Sequence, residues 1–581
     1  VQILDRRTLD SANLNGCERL FVENWYSLTH VRSLDSFRAR CLNSRTIIRE
    51  IHEELELGRI KDEHLEALLR EAAFLLEQDS VISSEFSSLL KCLQSHFKTK
   101  AKELNKTTLK IDIADAHQAL RRRYLPTLCE KLQLAVSTSD LDRTEKLTGS
   151  LVSDLIDRGW SLETLFGWHG HFLKQKDRGF ANNLSFMLKQ LQQKKQSFQI
   201  VLRLAGSSKT RQLDDHGSFA ISETAPITPH GPKEFAYCST NVNQCFATCT
   251  IKSFYHDDAA LEARNKLESL LDLLQFEYEQ STVSIDDECL VERLDDKKRQ
   301  FVRIRTQIPN PLESLQEDDF QAFVRRRNSL VSRSRIDKST KRLILASIRQ
   351  YRFGRDSTSV SDKFVNWWMG LEALCHAQGD IGNTVSRRVG NCILHGYLFR
   401  ICRDLLITIK HYKVNWSEDF ATEADSEHLA GVSVGGLIKL LQSGQGQALC
   451  DCLSGNLLLE RHANSVRIWL TNAKLCSQQL DGHLSRVQWH LHRLYRIRCC
   501  IVHGAPVRFK LTLAASNLEY YLKQTILLTM EALDSHDHVS GLDEVYERAQ
   551  LCNNRVLESL RDRNADHQTI RNSVFSHLVS K

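Results

Sequence analysis

Proline and glycine are scarce in this chain, 7 and 25 among 581 residues. So few breakers leave long stretches free to coil, and a mostly helical protein is expected. No stretch approaches the ~18 uninterrupted apolar residues that a membrane-crossing helix requires, so no membrane partner is expected. The opening VQILDRRTLD turns charged at once. No secretory leader is therefore expected, and the missing initiator Met suggests a trimmed start. The 17 cysteines are an odd number without regular spacing, unlike a disulfide scaffold. Buried free thiols in a reducing, cytoplasmic compartment are the expected reading. A phosphate loop of the G-x4-G-K-S/T type is also missing, since GVSVGG lacks the lysine and a preceding strand. Zinc ligands would come in paired C-x2-C spacing, whereas His230, Cys238, Cys245 and Cys249 are irregular, and Cys450/Cys452 and Cys499/Cys500 are weaker still. No metal and no cofactor are expected. The carboxylate pairs Asp286/Asp287 and Asp295/Asp296 read as acidic pairs beside loops.

Hydrophobic residues make up 41% and charged residues 26%, which excludes disorder as the main theme. At roughly 150 residues per domain, about three structural units are expected. Residues 1–196 read as an N-terminal helical region. In DEHLEALLREAAFLLEQ, Leu65, Leu68, Leu69, Ala72, Leu75 and Leu76 recur at helical spacing behind Asp62 as N-cap. SSEFSSLLKCLQSHF repeats the pattern with Ser83 or Ser84 as cap, and LTGSLVSDLIDRGW closes at Gly159. From residue 197 to 310 the texture changes to a small α+β unit: SFQIVLRLAG, FATCTIKSFY and RQFVRIRTQI read as strands. A long polar loop over 206–234 and a helix beginning after Asp257 or Asp258 complete it. A basic helical connector over 311–357, a helical bundle over 358–535 with a looser insertion at about 413–456, and C-terminal helices over 536–581 complete the chain. The fold class is therefore mainly α and multidomain.

The connector is chemically distinct. Between residues 321 and 355 eleven basic residues face one acid, Asp337, a local +10 against +6 for the whole chain. Arg325, Arg326, Arg327, Arg333, Arg335, Lys341 and Arg342 are the candidate ligands for a polyanion, whose counterions their binding would release. A solvated face answered by acidic helices is the alternative.

The most informative stretch is LYRIRCCIVHGAP. Between Gly482 and Leu518 there are six Lys/Arg and no Asp or Glu. His483, His490, His492 and His503 lie there too, with His490 and His492 read as surface or interface residues. Arg498 and His503 are five apart, about 140° around an ideal helix. Gly504 and Pro506 would end that helix and leave His503 in its last turn. Arginine and histidine without a carboxylate suit RNA cleavage. The 2′-hydroxyl must lose a proton and the 5′-oxygen must gain one, and histidine can do either near neutral pH. The phosphorane-like transition state gathers negative charge that a guanidinium fork matches. No metal is needed, because the nucleophile belongs to the substrate.

Tyr495, Arg498, Ile501, Val502, His503 and Gly504 together resemble the C-terminal signature of the HEPN superfamily, an arginine and a histidine separated by four to six residues. More narrowly, the stretch looks like the Apea-like HEPN group of bacterial defence proteins. Trp368, Leu371, Glu372 and Leu374 resemble that family's first-helix pattern, Arg388 an arginine of its second helix, and ASNLEYYLKQTILL fits the helix that follows. The resemblance covers roughly residues 358–535, about 30% of the chain. It implies a helical bundle that dimerises or forms a higher homo-oligomer, with two Arg/His pairs across one cleft. It also implies metal-independent endoribonuclease activity in anti-phage abortive infection or toxin–antitoxin systems. The substrate would be tRNA or mRNA, with a phage-derived trigger or regulatory partner.

In that reading His503 is general acid/base and Arg498 binds the scissile phosphate. Arg496, seven residues before His503, is a second candidate for the arginine. Glu372 and Arg388 are expected to form a helix-to-helix ion pair or to orient Arg498. Cys499 departs from the pattern, since active members usually carry Asn, Asp or His there. Ala505 stands where some members carry a tyrosine that is adenylylated, which argues against that modification. Two alternatives stay open: a non-catalytic HEPN-type module that binds RNA or dimerises, and a scaffold without nucleic acid.

Overall fold

The computed structural model describes residues 3–579 apart from 11, 31–41, 59, 175–178, 207–217, 240–242, 278–282, 305–316, 358, 378 and 505–510. Much of the polar loop, the start of the connector, Ala505 and Pro506 thus lie outside the described residues. The fold is mainly helical: the described residues form 25 helices and a five-stranded antiparallel sheet between residues 196 and 303. None of the described helices is long and apolar enough to cross a membrane.

Two compact units are formed. One joins residues 1–154 to 308–581, and the other comprises 155–307. In the second unit the strands are β1 (Gln196–Ala205), β2 (Ala220–Ser222), β3 (Gln244–Ser253), β4 (Ser284–Arg293) and β5 (Arg299–Arg303), ordered β2-β3-β1-β4-β5. The helix His256–Glu277 covers one face, where Ala259, Ala260 and Ala263 let its backbone approach Phe198, Ile200, Cys249 and Val291. Strand β4 was not anticipated, because its first half, SIDDE, is acidic. Asp286 and Asp287 therefore lie in a strand rather than beside a loop. Asp286 pairs with Arg203 of β1, and Asp287 pairs with Arg264 of the covering helix at 2.9 Å. Asp296, in the following turn, pairs with Arg293.

In the first unit the N-terminal helices share one body with the C-terminal half. Helix Ser44–Leu57 begins with a capping box at Asn43. Helix Asp62–Gln78 buries Leu65, Leu68, Leu69, Ala72 and Leu76 of the stripe its periodicity predicts, while Leu75 is only half-buried. Two caps differ from expectation. Lys61, not Asp62, is the N-cap residue, and Asp62 sits in the first turn, where a carboxylate favours the helix dipole. Ser83 and Ser84 lie inside a short helix, Ser80–Glu85, which Asp79 caps by accepting from the Val81 N–H at 2.8 Å. An aspartate four residues upstream displaces the serines from that role.

The bundle is built from helices Lys338–Asp356, Val360–Leu374, Ile381–Leu394, Ala473–Val502, Leu511–Ser535 and Leu542–Arg561. Trp367, Trp368, Leu371, Val389, Leu491, Leu494, Tyr521 and Leu522 lie in one core. Residues 413–456 are not loose. Their helices bury Leu437, Ile438, Leu440, Leu441 and Leu449 in a second core with Leu405, Ile409 and Val466. Gly436 of GVSVGG has a packing role there, since a methyl on it would overlap the Ala424 carbonyl.

Gly354 is a comparable close approach. A methyl there would overlap the indole of Trp367 and meet the Lys363 carbonyl at 3.0 Å. The indole is fixed, because its Nε1 donates to the Tyr351 carbonyl at 3.1 Å. Gly354→Ala is expected to lower unfolding stability by about 1–3 kcal/mol, the range for overpacking a rigid core. Chemical denaturation with an unshifted midpoint would refute this.

Candidate active site

The helix Ala473–Val502 carries the arginine and histidine singled out by sequence. Asn472 caps its start, accepting from the Leu475 N–H at 3.0 Å. At its end His503 is the C-cap residue, its N–H donating to the Cys499 carbonyl at 3.0 Å. Gly504 follows at φ +68, a left-handed turn that glycine enters without a Cβ penalty. The exposed His503 side chain thus stands at the end of this helix, just past the last helical turn.

Arg498 lies one turn and a half before it, with 22% of its side chain exposed. Its Nη2 is 3.6 Å from Glu372 Oε1, and its buried Nε has no hydrogen-bond acceptor among the described residues. Glu372 is itself fixed by Trp368, whose Nε1 donates to Oε1 at 2.6 Å. The indole of Trp368 also packs on Tyr495 at 5.7 Å between ring centroids. Burial and the neighbouring Cys499 push the Tyr495 hydroxyl up to about 12, so it stays protonated. Trp368, Glu372, Tyr495 and Arg498 therefore form one cluster where helices Val360–Leu374 and Ala473–Val502 meet.

The expected pairing of Glu372 with Arg388 is replaced by separate partners. Arg388 bonds to Asp543 at 2.6 Å and to the Cys375 carbonyl at 2.7 Å, and covers the Tyr546 ring at 5.0 Å. It ties helix Ile381–Leu394 to Leu542–Arg561. Glu372 is left to face Arg498.

Arg496 is not available as a catalytic arginine. It is 8% exposed and faces the N-terminal helices, pairing with Glu50 and lying 3.5 Å from Glu54. Two residues make about 200° of helical rotation, so Arg496 and Arg498 sit on nearly opposite sides. Arg493 shares the buried face of Arg496. It donates to Glu50 at 2.9 Å and to Glu71 at 2.5 Å. Burial raises both carboxyls, but Glu50, facing two guanidinium groups, ends below its ordinary value, while Glu71 stays above it.

The remaining histidines of this helix are buried, so His490 and His492, expected at the surface or at an interface, are not surface residues. His490 bonds to the Tyr521 hydroxyl at 2.9 Å, and His483 stacks on Tyr397 at 3.7 Å. His492 Nδ1 meets His64 Nδ1 of the N-terminal helix Asp62–Gln78 at 3.0 Å. One ring must donate and the other accept, which two imidazolium ions cannot do. Burial above all pushes His64 down to about 4 and His492 to about 3. With depressed pKa values the unfolded chain binds more protons between pH ~6.5 and ~4, so stability falls as pH drops through that window. Acidification from pH 7 to 5 is expected to cost about 3 kcal/mol through this pair. His64→Phe with His492→Leu should flatten the slope of unfolding midpoint against pH, and an unchanged slope would remove the pair as its source.

The basic connector divides in two. Arg326 is 3.5 Å from Glu531, Arg333 is 3.2 Å from Asp534, and Arg335 is 3.6 Å from Asp537. Arg333 and Arg335 also donate to carbonyls ending helix Leu511–Ser535, and Lys341 donates to the Arg333 carbonyl at 2.7 Å. These four residues hold the bundle together. Arg325 and Arg327 are exposed, as are Lys338, Arg342, Arg349, Arg352 and Arg355 of helix Lys338–Asp356. Leu345 and Phe353 are 48% and 43% exposed, and the Arg352 guanidinium lies 5.5 Å from the centre of the Phe353 ring.

Among the described residues no group of His, Cys, Asp and Glu could hold a metal ion. Cys245 and Cys249 are buried in the sheet core, and burial pushes the Cys249 thiol up to about 12. Comparison with protein-family models, curated proteins and solved structures finds no match to this chain.

Proposed function

We propose that the protein is a metal-independent endoribonuclease of the HEPN type, acting on tRNA or mRNA in an anti-phage or toxin-type system. The observation that carries the reading is Arg498, its Nη2 3.6 Å from Glu372 and its buried Nε without an acceptor among the described residues, on the helix that His503 caps. A phosphate that approaches this helix end meets a pre-positioned guanidinium and an exposed imidazole. Arg498 binds the scissile phosphate and stabilises its added negative charge. His503 moves the proton. Glu372 and Trp368 keep Arg498 from collapsing onto the bundle. The exposed arginines of Lys338–Asp356, with Phe353 among them, suit the phosphates and bases of a single strand.

Cys499 favours a second reading, a module that binds RNA without cutting it, because a thiol is a weak hydrogen-bond partner beside Arg498. Incubation of RNA with wild-type protein in EDTA, beside Arg498→Ala and His503→Ala, separates the two.

A further inference from the structure

Resting on that reading, we propose that His376 is a second catalytic residue, sharing proton transfer with His503 within one chain. The argument is the register of two helices. Trp368 of Val360–Leu374 meets Tyr495 of Ala473–Val502, and Glu372, four residues on, meets Arg498, three residues on. Both contacts advance in the same chain direction, so the helices run parallel. The helix between them in sequence agrees. In Ile381–Leu394, Gly382 lies against Tyr495, while Gly390 lies against Gln488 and Leu484. That helix runs antiparallel to Ala473–Val502 and starts at the end where Arg498 lies.

One turn past Glu372 is His376, and one turn past Arg498 is the turn that reaches His503. A turn is ~5.4 Å of rise, so the two histidines follow the Arg498–Glu372 contact at the same end of the bundle. Packed helix axes lie ~8–10 Å apart, so residues that follow the ends of two adjacent helices are within reach of a single phosphodiester. Both residues are exposed, and both stand immediately beyond a helix terminus, the one place where each helix leaves the bundle.

The backbone supplies an independent observation. His376 has φ +45. It occupies the left-handed closing position of helix Val360–Leu374, where its N–H donates to the Ala373 carbonyl at 3.2 Å and the next N–H donates to Glu372 at 3.2 Å. Glycine is the ordinary occupant of that position. At the end of Ala473–Val502, Gly504 fills the left-handed position and the histidine is the cap residue before it. A histidine held in a strained conformation at one helix end, beside a histidine at the other, is a pattern met at functional sites.

The chemistry needs two proton carriers. One imidazole takes the 2′-hydroxyl proton as that oxygen bonds to phosphorus. The P–O5′ bond breaks, and the second ring, entering as imidazolium, protonates the departing 5′-oxygen. The products are a 2′,3′-cyclic phosphate and a 5′-hydroxyl, and one proton has passed from substrate to product side. Arg498 lies one turn before both rings, at its contact with Glu372.

Three variants test this: His376→Gly, His376→Asn and His503→Ala, each read for cleavage of a defined RNA across pH, for RNA binding and for melting temperature. His376→Gly relieves the left-handed backbone. It is expected to leave the melting temperature unchanged or higher and binding within twofold, while cleavage drops about 10²-fold and one limb of the pH–rate profile is lost. His376→Asn, which also tolerates that conformation, should lose cleavage equally. A substrate with sulfur in place of the leaving 5′-oxygen needs no proton on departure, and it should rescue whichever histidine variant lost the acid. If wild type cleaves and His503→Ala does not, but both His376 variants match wild type in rate and pH profile, the proposal is overturned while the nuclease reading stands. If wild type cleaves nothing, reading and proposal fall together.

Discussion

Arg498→Ala and His503→Ala are each expected to lower RNA cleavage in EDTA by about 10²- to 10⁴-fold, the range for losing a transition-state charge partner or a general acid/base. The two losses should differ in kind. Arg498→Ala should weaken RNA binding and reduce its salt dependence, because a phosphate contact is gone. His503→Ala should leave binding nearly intact and remove a limb of the pH–rate profile. Arg498→Lys keeps the charge but not the planar fork, and it should recover binding more than rate. Folding is not the obstacle in either case, since His503 is exposed and Arg498 makes one long ion pair. Fragments should end in 2′,3′-cyclic phosphate. Equal cleavage by wild type and both alanine variants would remove this pair from the active site.

Glu50→Ala carries the largest expected stability change, about 3–5 kcal/mol, the usual consequence of removing one partner from a buried ion network. Glu50 accepts from both Arg493 and Arg496, and all three are under a tenth exposed. Without it, among the described residues, Arg496 keeps Glu54, at 3.5 Å, as its carboxylate partner, and Arg493 keeps Glu71. Glu71→Ala should cost less, because Arg493 retains Glu50 at 2.9 Å. The triple variant Glu50→Leu, Arg493→Met, Arg496→Met should be more stable than Glu50→Ala alone, since the penalty comes from charge left unpaired rather than from attraction lost. Chemical denaturation of the full chain reads all three. A loss below about 1 kcal/mol in Glu50→Ala would show that water reaches the arginines and that the network is not closed.

That network also shows how far the linear chain can be read. Glu50 and Arg493 are separated by 443 positions, and nothing in REIHEELELG marks one glutamate as destined for the interior. Arg496 and Arg498 look interchangeable in YRIRCC. Only the packed helices Ser44–Leu57 and Asp62–Gln78 on one side, and Val360–Leu374 on the other, send the first inward to glutamates and leave the second beside Glu372. The burial of His492 is hidden from the linear chain for the same reason, because its neighbour His64 comes from a helix more than 400 positions away. The acidic half of β4 masked a strand whose partners are supplied by β1 and β5.

The sequence by itself determined what depends on neighbours in the chain. Scarce proline and glycine set a mainly helical fold. Apolar residues at i, i+3 and i+4 set the buried face of Asp62–Gln78, and Gly504 set the end of the helix that carries Arg498 and His503. Tertiary structure decided which charges are used up. The connector's +10 divides into arginines that close off the end of Leu511–Ser535 and arginines that face solvent, according to whether Glu531, Asp534 or Asp537 comes within reach. It also set Val360–Leu374 beside Ala473–Val502 through the Trp368–Tyr495 and Glu372–Arg498 contacts. The physical reason is range. Periodicity and capping act over one or two turns, whereas a buried charge or a proton-transfer partner is fixed by whatever element the fold brings against it.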